Sequence, residues 1–145
     1  SNTVTFNSQG GNAVESQRVV IGGYATKPAT DPTRTGYDFA YWATDAAGTN
    51  EFRFATTPVN ANITLYAKWT ETVCDVTFDS DGGSAVETQN VGYGNKAIFP
   101  EIPVKEGYSF EMWRIRKTEY QYEEFDFSTP ITEDITLYAL WFGGE

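Results

Sequence analysis

The chain of 145 residues lacks histidine entirely, and it holds a single cysteine, Cys74, and no long apolar run. Without histidine there is no imidazole base, no Ser-His-Asp or Cys-His pair and no His-ligated zinc or iron, so these kinds of site are excluded. A single cysteine cannot form an intramolecular disulfide, and a lone thiol occurs in oxidising and reducing compartments alike. With no apolar run of about 20 residues, this segment is predicted not to insert into a membrane.

Positive charge is also scarce, because 10 Lys and Arg residues stand against 20 Asp and Glu residues, giving a formal net charge of -10. Nucleic-acid binding is therefore excluded, since most of its affinity comes from basic side chains that neutralise phosphate. Aromatic residues, by contrast, make up 16% of the chain. Each buried aromatic ring removes roughly 150–250 Å² from water, so small cores are feasible.

The sequence repeats itself at a spacing close to 72 residues, and such a fixed period indicates a repeat architecture. The main recurring pairs are Val4-Thr5-Phe6 with Val76-Thr77-Phe78, Gly10-Gly11 with Gly82-Gly83, Gly36-Tyr37 with Gly107-Tyr108, Trp42 with Trp113, and Ile63-Thr64-Leu65-Tyr66-Ala67 with Ile135-Thr136-Leu137-Tyr138-Ala139. We therefore predict two homologous modules, 1–72 and 73–145.

Within module 1 the local signals are those of strands, because polar and apolar residues alternate. Strands are predicted at 3–6, 13–20, 37–44, 52–54 and 63–69, with a Gly-Gly hairpin turn between the first two. In the third strand, Tyr37, Phe39 and Tyr41 are expected on one face. The stretch 25–36, which contains Pro28 and Pro32, is predicted to be a loop that includes at most one short helical turn.

The segment between the modules, residues 70–75, contains neither glycine nor proline. It is predicted to be a short extended linker, which favours a semi-rigid string of modules over a flexible tether. Cys74 falls in this linker, where its thiol could be exposed, and we predict that it has no specific role. The two ends of the sequence favour a fragment of a longer multi-domain protein.

The spaced motifs of the two modules resemble the Listeria-Bacteroides repeat, the B-repeat of internalin-type bacterial surface proteins. The shared pattern is Val-Thr-Phe with Gly-Gly and Ala-Val-Glu, then Gly-Tyr-x-Phe-x-x-Trp, then Phe-x-Phe, and finally Ile-Thr-Leu-Tyr-Ala-x-Trp. The resemblance implies a mainly β or α+β fold, built as two tandem small β-grasp (ubiquitin-like) modules with little helix. It also implies an extracellular or cell-surface location and no catalytic residues.

Module 2 departs from that pattern at two places. Glu111 and Met112 precede Trp113, where the motif usually places a glycine directly before the tryptophan. The stretch 114–124 is also longer than its counterpart 43–51, so we expect a loop or hairpin that only module 2 possesses.

Aromatic residues that recur in both modules are predicted to serve the shared core, because a domain of this size needs nearly all its large apolar groups for stability. The recurring pairs are Phe6/Phe78, Tyr37/Tyr108, Phe39/Phe110, Trp42/Trp113, Phe52/Phe125, Phe54/Phe127, Tyr66/Tyr138 and Trp69/Trp141. Those that do not recur are Tyr24, Tyr41, Tyr93, Phe99, Tyr120, Tyr122 and Phe142. The second set is free to contact a partner.

The best candidate contact surface is the stretch 119–124 of module 2, where Tyr120 and Tyr122 would share one face of a strand. The predicted contact residues are Tyr93, Tyr120, Tyr122, Glu123 and Glu124. The alternative is a hairpin whose tyrosines cover the edge of the core. Burial of both tyrosines would favour that structural role, and a solvent-facing pair would favour binding.

Charge is unequal between the modules, because residues 1–72 hold 6 acids and 5 bases whereas residues 73–145 hold 14 acids and 5 bases. An acidic surface usually serves solubility, and the more specific alternative is that it binds a cationic partner.

The stretch 79–82 weakly resembles a calcium-binding loop, but Gly83 and Asn90 stand where that loop needs oxygen ligands, so a hairpin turn is predicted. Adjacent carboxylates such as Glu123 and Glu124 point to opposite faces of a strand, which argues against a glycosidase pair.

The sequence therefore predicts a non-enzymatic spacer or stalk segment of a bacterial surface or secreted protein, with weak protein contacts and no catalytic, metal or cofactor site. The alternative is an adhesin-like module that binds a host protein, an envelope protein or a glycan through the tyrosines of module 2.

Overall fold

The computed structural model describes residues 1–144 of the chain. The chain divides into two compact units, unit 1 (Ser1–Glu71) and unit 2 (Thr72–Glu145). Unit 1 contains β1 (Asn2–Asn7), β2 (Gln17–Val19), β3 (Tyr37–Ala43) and β4 (Ile63–Glu71). Unit 2 contains β5 (Val73–Asp79), β6 (Gln89–Gly92), β7 (Tyr108–Thr118), β8 (Gln121–Glu124) and β9 (Ile135–Gly143).

Unit 1 is a single mixed sheet with the strand order β2-β1-β4-β3. The central strands β1 and β4 are parallel, with Val4 opposite Ile63 and Phe6 opposite Leu65, while both outer pairs are antiparallel. The first hairpin turns at Gln9 and Gly10, where φ is 46° and 95°. Glycine adopts such positive φ values at little steric cost, which explains the glycine at position 10.

Unit 2 repeats this sheet and adds a strand, in the order β6-β5-β9-β7-β8. Its central pair, β5 and β9, is again parallel, with Val76 opposite Ile135 and Phe78 opposite Leu137. The mainly β class and the two tandem small modules predicted from the sequence are thereby confirmed, and no helix occurs within residues 1–144. Residues 25–36 form a loop, as predicted, and it contains no helical turn.

Each unit has a hydrophobic core on one face of its sheet, because inward residues alternate along the central strands. The buried core of unit 1 consists of Val4, Phe6, Val19, Ala25, Trp42, Phe52, Val59, Leu65 and Ala67. The buried core of unit 2 consists of Cys74, Val76, Phe78, Val91, Ala97, Trp113, Phe125, Ile131, Leu137 and Ala139. Most members of the two cores occupy equivalent positions, so the repeat in the sequence is a repeat of packing.

The face assignment of the third strand was wrong. A register shift between Phe39 and Tyr41 bulges β3, and a bulge of one residue reverses the alternation beyond it. As a result Phe39 and Trp42 meet, with ring centroids 5.3 Å apart. Tyr41 is half-buried, and its hydroxyl donates a hydrogen bond to the carbonyl of Gly48 at 2.6 Å.

Two predicted strands are shorter than expected or absent. Only Gln17–Val19 of the stretch 13–20 is a strand. The expected strand at 52–54 is wrong, because residues 52–54 are not in a strand and only the preceding Glu51 forms an isolated bridge, with Ala43. Phe52 and Phe54 still pack with the core of unit 1. The spacing of two residues between Phe52 and Phe54 therefore comes from an irregular segment that packs both rings with the core, and not from a strand.

The predicted linker at 70–75 is not a separate segment. Thr70 and Glu71 belong to β4, and β5 begins at Val73. Cys74 is buried and not exposed, because its side chain is 2% exposed in the core of unit 2. Along β5 the burial alternates, and Cys74 has the same parity as Val76 and Phe78, so it faces inward with them.

Two recurring aromatic pairs lie outside the cores. Tyr37 and Tyr108 are 40% and 42% exposed. The Arg34 guanidinium lies 3.9 Å from the ring centroid of Tyr37, and the Lys105 ammonium lies 4.3 Å from that of Tyr108. Recurrence at this pair preserves a surface cation-π contact. Tyr66 and Tyr138 are half-buried on their strands but are not members of either core cluster.

Candidate functional site

The β7/β8 hairpin carries the surface predicted for contacts. Arg114 pairs with Glu124, Ile115 with Glu123 and Arg116 with Tyr122. In unit 1 the equivalent chain instead forms a short loop. There the Asp45 carboxylate accepts hydrogen bonds from the backbone of Thr49 and Asn50 and from the Thr49 hydroxyl. The hairpin is thus a structure that unit 1 lacks, as its longer sequence predicted.

The two tyrosines of the hairpin differ in their surroundings. Tyr120 is 88% exposed in the turn before β8. Tyr122 lies on β8, with its ring centroid 5.6 Å from that of Tyr138 and 4.7 Å from the guanidinium carbon of Arg114. Tyr122 therefore belongs to a packed cluster with Tyr138 and Arg114. The two tyrosines do not form the shared face that the alternation predicted.

The remaining predicted contact residues are dispersed. Tyr93 follows β6, at the sheet edge opposite β8, and it packs against the core of unit 2. Glu123 forms an exposed ion pair with Lys117 at 3.8 Å. Glu124 is exposed at the end of β8. The five predicted residues are therefore not brought into one cluster.

The Asp79–Gly82 segment forms the hairpin turn between β5 and β6. The Asp81 amide donates to the Asp79 carboxylate at 2.9 Å, and the Gly83 amide donates to the Ser80 carbonyl at 3.1 Å. Asp81 has a φ of 50°, which Asp tolerates in turns better than most residues do. The side chain of Asp79 is thus occupied by its own turn.

A cleft that the sequence did not reveal lies beside the free edge of β7. It has a volume of about 490 Å³ and is lined by Phe99, Glu111, Met112, Trp113, Glu124, Phe125, Asp126 and Phe127. The Phe125 amide donates to the carbonyl of Trp113 at 2.9 Å, which holds the segment after β8 against β7. This volume falls in the range of roughly 300–1,000 Å³ that is usual for ligand sites.

Unit 1 has a cleft at the equivalent position. Its volume is about 350 Å³, and its lining includes Lys27, Ala40–Trp42 and Glu51–Thr56. The Phe52 amide donates to the carbonyl of Trp42 at 2.8 Å, repeating the contact that holds the unit 2 cleft together. Both clefts are therefore products of the shared fold.

The rims of the two clefts carry opposite charge. The unit 2 rim has Glu111, Glu124 and Asp126. The unit 1 rim has Glu51 together with the two cations Lys27 and Arg53. Hydrogen bonds from the hydroxyl and amide of Ser128 lower the pKa of Asp126 below its usual value of 3.8, with a smaller contribution from the positive charge of Lys96. The Asp126 carboxylate is therefore ionised at neutral pH.

The floors of the two clefts are alike. Trp42 and Trp113 line them, and each indole Nε1 is buried without a hydrogen-bond partner within residues 1–144. The ring centroids of Phe52 and Phe54 lie 4.8 Å apart in unit 1, and those of Phe125 and Phe127 lie 5.0 Å apart in unit 2. The two clefts differ in their charged rim residues and in two lining positions, Phe99 and Met112 of unit 2, where unit 1 has Lys27 and Tyr41.

A signal for the cleft was present in the sequence. At the spacing of 72 residues, Phe99 stands where unit 1 has Lys27, and at 73 residues Asp126 stands where unit 1 has Arg53. Comparing charge position by position, rather than summed over each module, would have marked these sites.

Comparison with known proteins identifies the repeats. A family model described as the Listeria-Bacteroides repeat domain matches residues 3–68 and 75–140. A protein of Evansella cellulosilytica, provisionally named a Gly-rich membrane protein, is 37% identical over 96% of this chain and 16% of its own length. Internalin H of Listeria monocytogenes is 38% identical over 78% of this chain and 20% of its own length.

The chain spans only 16% to 21% of the length of these relatives and of a second protein of Evansella cellulosilytica, provisionally named a membrane protein. No solved structure matches the chain. Over residues 1–144, the structure contains no helix with the length and apolarity needed to cross a membrane.

Proposed function

Since the chain belongs to the Listeria-Bacteroides repeat family, with two tandem copies of its domain, we propose that it is a non-enzymatic spacer segment of a bacterial surface or secreted protein. In this role it holds another domain of a longer chain away from the cell envelope. The names of the relatives, internalin H and two membrane proteins, support a location at the cell surface.

The observation that carries the proposal is the duplication of the core without duplication of the surface. Val4, Phe6 and Leu65 recur as Val76, Phe78 and Leu137 in the same register of a parallel pair. A spacer needs each copy to fold stably and places few demands on what each copy exposes. The short connection supports the same role, because Thr72 alone separates β4 from β5.

The spacer role is tested by varying the number of units. A reporter domain is displayed on a bacterial surface through the full chain, through unit 1 alone, and through a Gly/Ser linker with as many residues as the chain. We expect accessibility of the reporter to a large antibody to fall when unit 2 is removed. Equal accessibility with one unit and with two would contradict a spacing function.

The alternative, an adhesin-like module that uses the tyrosines of unit 2, is supported by the exposure of Tyr120 alone. It is tested on an array of host proteins, envelope proteins and glycans with the two-unit chain. A saturable hit that Tyr120→Ala abolishes would favour it. A hit that is lost in Tyr122→Ala only because the hairpin is destabilised would not favour it.

A further inference from the structure

We propose that the cleft of unit 2 is a binding site for an extended segment of a partner protein that inserts a lysine or arginine side chain. The site is lined by Phe99 and Phe125–Phe127 and rimmed by Glu111, Glu124 and Asp126. This role goes beyond spacing, and it uses a surface separate from Tyr120.

The first support is an aromatic wall that solvent reaches. Phe99 is 51% exposed, although its ring packs against that of Phe127 in a tilted arrangement, with ring centroids 5.0 Å apart. Phe127 in turn contacts the buried ring of Phe125. A cation held within about 6 Å of such rings is attracted to their faces. Exposure of the Phe99 ring does not favour solubility, but it does allow contact with a cationic side chain.

The second support is uncompensated negative charge at the rim. Neither Glu111 nor Glu124 forms a salt bridge or a side-chain hydrogen bond within the described part of the chain. Arg114 pairs with Glu124 in the strand register, but its guanidinium stacks on Tyr122. A cationic side chain entering the cleft would meet carboxylates beside a low-dielectric wall, where charge attraction is stronger than in water.

The third support is the contrast with the cleft of unit 1. Unit 1 has Lys27 in place of Phe99, Ala40 in place of Glu111 and Arg53 in place of Asp126. The fold therefore tolerates a rim without the carboxylates of Glu111 and Asp126 and without the exposed ring of Phe99, while Glu51 of unit 1 corresponds to Glu124. Their combination in unit 2 is not required for packing, and it is complementary to a cation.

The edge of β7 indicates that the occupant is a polypeptide and not a small amine. Residues Tyr108–Met112 pair with β9 on one side, while β8 begins its pairing only at Arg114. The other side of this stretch has no strand partner among the described residues, and it borders the cleft through Glu111 and Met112. An extended segment can add its backbone hydrogen bonds to such an edge while one side chain fills the adjoining cleft.

The test measures binding of fluorescently labelled extended peptides to the full two-unit chain by anisotropy. The peptides carry one central lysine, arginine, glutamine or acetyl-lysine, with flanking residues varied among Ser, Thr, Val and Gly. We expect the lysine or arginine peptides to bind about tenfold more tightly than the neutral ones, and their affinity to fall as salt is raised. Absence of any charge-dependent binding across the set would overturn the proposal.

Variants that exchange the two rims assign the site. The triple variant Phe99→Lys, Glu111→Ala, Asp126→Arg should lose the preference for lysine, and an unchanged melting temperature shows that unit 2 remains folded. The reciprocal variant Lys27→Phe, Ala40→Glu, Arg53→Asp should create a second site in unit 1. Retained binding by the first variant would place the site elsewhere and contradict the proposal.

Two further outcomes distinguish other occupants. Equal affinity for spermine and for the lysine peptides would show a small-amine site. Self-association of the chain that the triple variant abolishes, in sedimentation experiments without peptide, would assign the cleft to a second copy. Either result would overturn a site for a partner segment. The control Tyr120→Ala should leave peptide binding unchanged, which separates this site from the adhesin-like alternative.

Discussion

In unit 1 the strand after the bulge ends at Ala43 and leads into a loop organised by Asp45, whereas in unit 2 the equivalent strand continues to Thr118 and returns as β8. The cores beneath these endings are nearly the same. The ring centroids of Phe6 and Trp42 lie 4.8 Å apart, and those of Phe78 and Trp113 lie 4.9 Å apart. The fold therefore depends on a small set of inward residues, while strand ends and cleft rims are free to diverge.

The largest expected effect comes from removing the central tryptophan of each unit. Trp42 and Trp113 are each 1% exposed and contact equivalent phenylalanines. Replacing either with alanine is expected to lower the free energy of unfolding of its own unit by about 3–5 kcal/mol. Chemical denaturation of Trp42→Ala and Trp113→Ala measures both losses. A Trp113→Ala variant with an unmoved unfolding midpoint would break the equivalence of the two cores.

The next effect comes from a glycine in each first hairpin. A Cβ added at Gly11 would lie 2.6 Å from the Trp69 ring, and one added at Gly83 would lie 2.5 Å from the Trp141 ring. Both rings are held by indole hydrogen bonds to Ser8 and Ser80. Gly11→Ala and Gly83→Ala are therefore each expected to cost about 1–3 kcal/mol through overpacking.

The control for this prediction is a smaller ring. If the clash causes the loss, Gly11→Ala should cost less in a Trp69→Phe background than alone, which a double-mutant cycle measures. Strictly additive losses would show that the glycine acts through its backbone instead.

A smaller effect separates the tyrosines of the hairpin that only unit 2 has. Tyr122→Ala is expected to cost about 1 kcal/mol, because the ring contacts with Tyr138 and Arg114 are lost. Tyr120→Ala should stay within about 0.5 kcal/mol, as is usual for surface substitutions. Thermal unfolding of both variants measures the difference. Equal losses would contradict the packed and exposed assignments.

The smallest expected effect is the loss of stability at acidic pH. Hydrogen bonds from the Thr49 side chain and the Asn50 and Thr49 amides lower the pKa of Asp45, and those from Ser128 lower the pKa of Asp126. Because the folded pKa lies below its usual value of 3.8, the stabilisation is present above pH 3.8 and is lost as the pH falls through the folded pKa. Carboxyl NMR titration should give values below 3.8 for both groups.

The titration has a matched control in the other unit. Thr49→Val should raise the pKa of Asp45 toward its usual value and leave that of Asp126 unchanged, since each carboxylate is held by its own local hydrogen bonds. An Asp45 pKa at or above 3.8 in the unsubstituted chain would show that these hydrogen bonds are absent in solution.

Much of the fold could be predicted from the sequence, because the central strands alternate cleanly between apolar and polar residues. In β4 the apolar residues Ile63, Leu65, Ala67 and Trp69 alternate with Thr64, Tyr66 and Lys68, and all four apolar residues pack into the core of unit 1. The repeat itself identified the Listeria-Bacteroides family, which the family model confirms. The alternation along the strands and the repeat between the modules extend over many residues, so a local irregularity of the backbone does not hide them.

What could not be predicted depends on backbone irregularity and on pairing. The bulge between Phe39 and Tyr41 shifts the face of every later residue in β3, and no residue type in that stretch marks it. Cys74 was assigned to a linker because the stretch 70–75 has no turn residues. The same absence is equally typical of two strands that nearly meet, and pairing of Cys74 with Val91 decides the matter.

The candidate site was the least predictable feature. Recurrence drew attention to residues that only one module has, including Phe99 and the hairpin tyrosines. It could not show that Tyr122 packs on Tyr138, or that Phe99 and Asp126 line one cleft. Those arrangements depend on tertiary contacts between segments that are distant in sequence.

The central claim is that the chain holds two separate cores of the same design, and amide hydrogen exchange in Trp42→Ala tests it most directly. We predict faster exchange throughout β1 and β4, where the damaged core lies, and unchanged protection in β5 and β9. Loss of protection at Leu137 equal to that at Leu65 would show that the two units unfold as one, and it would contradict the account.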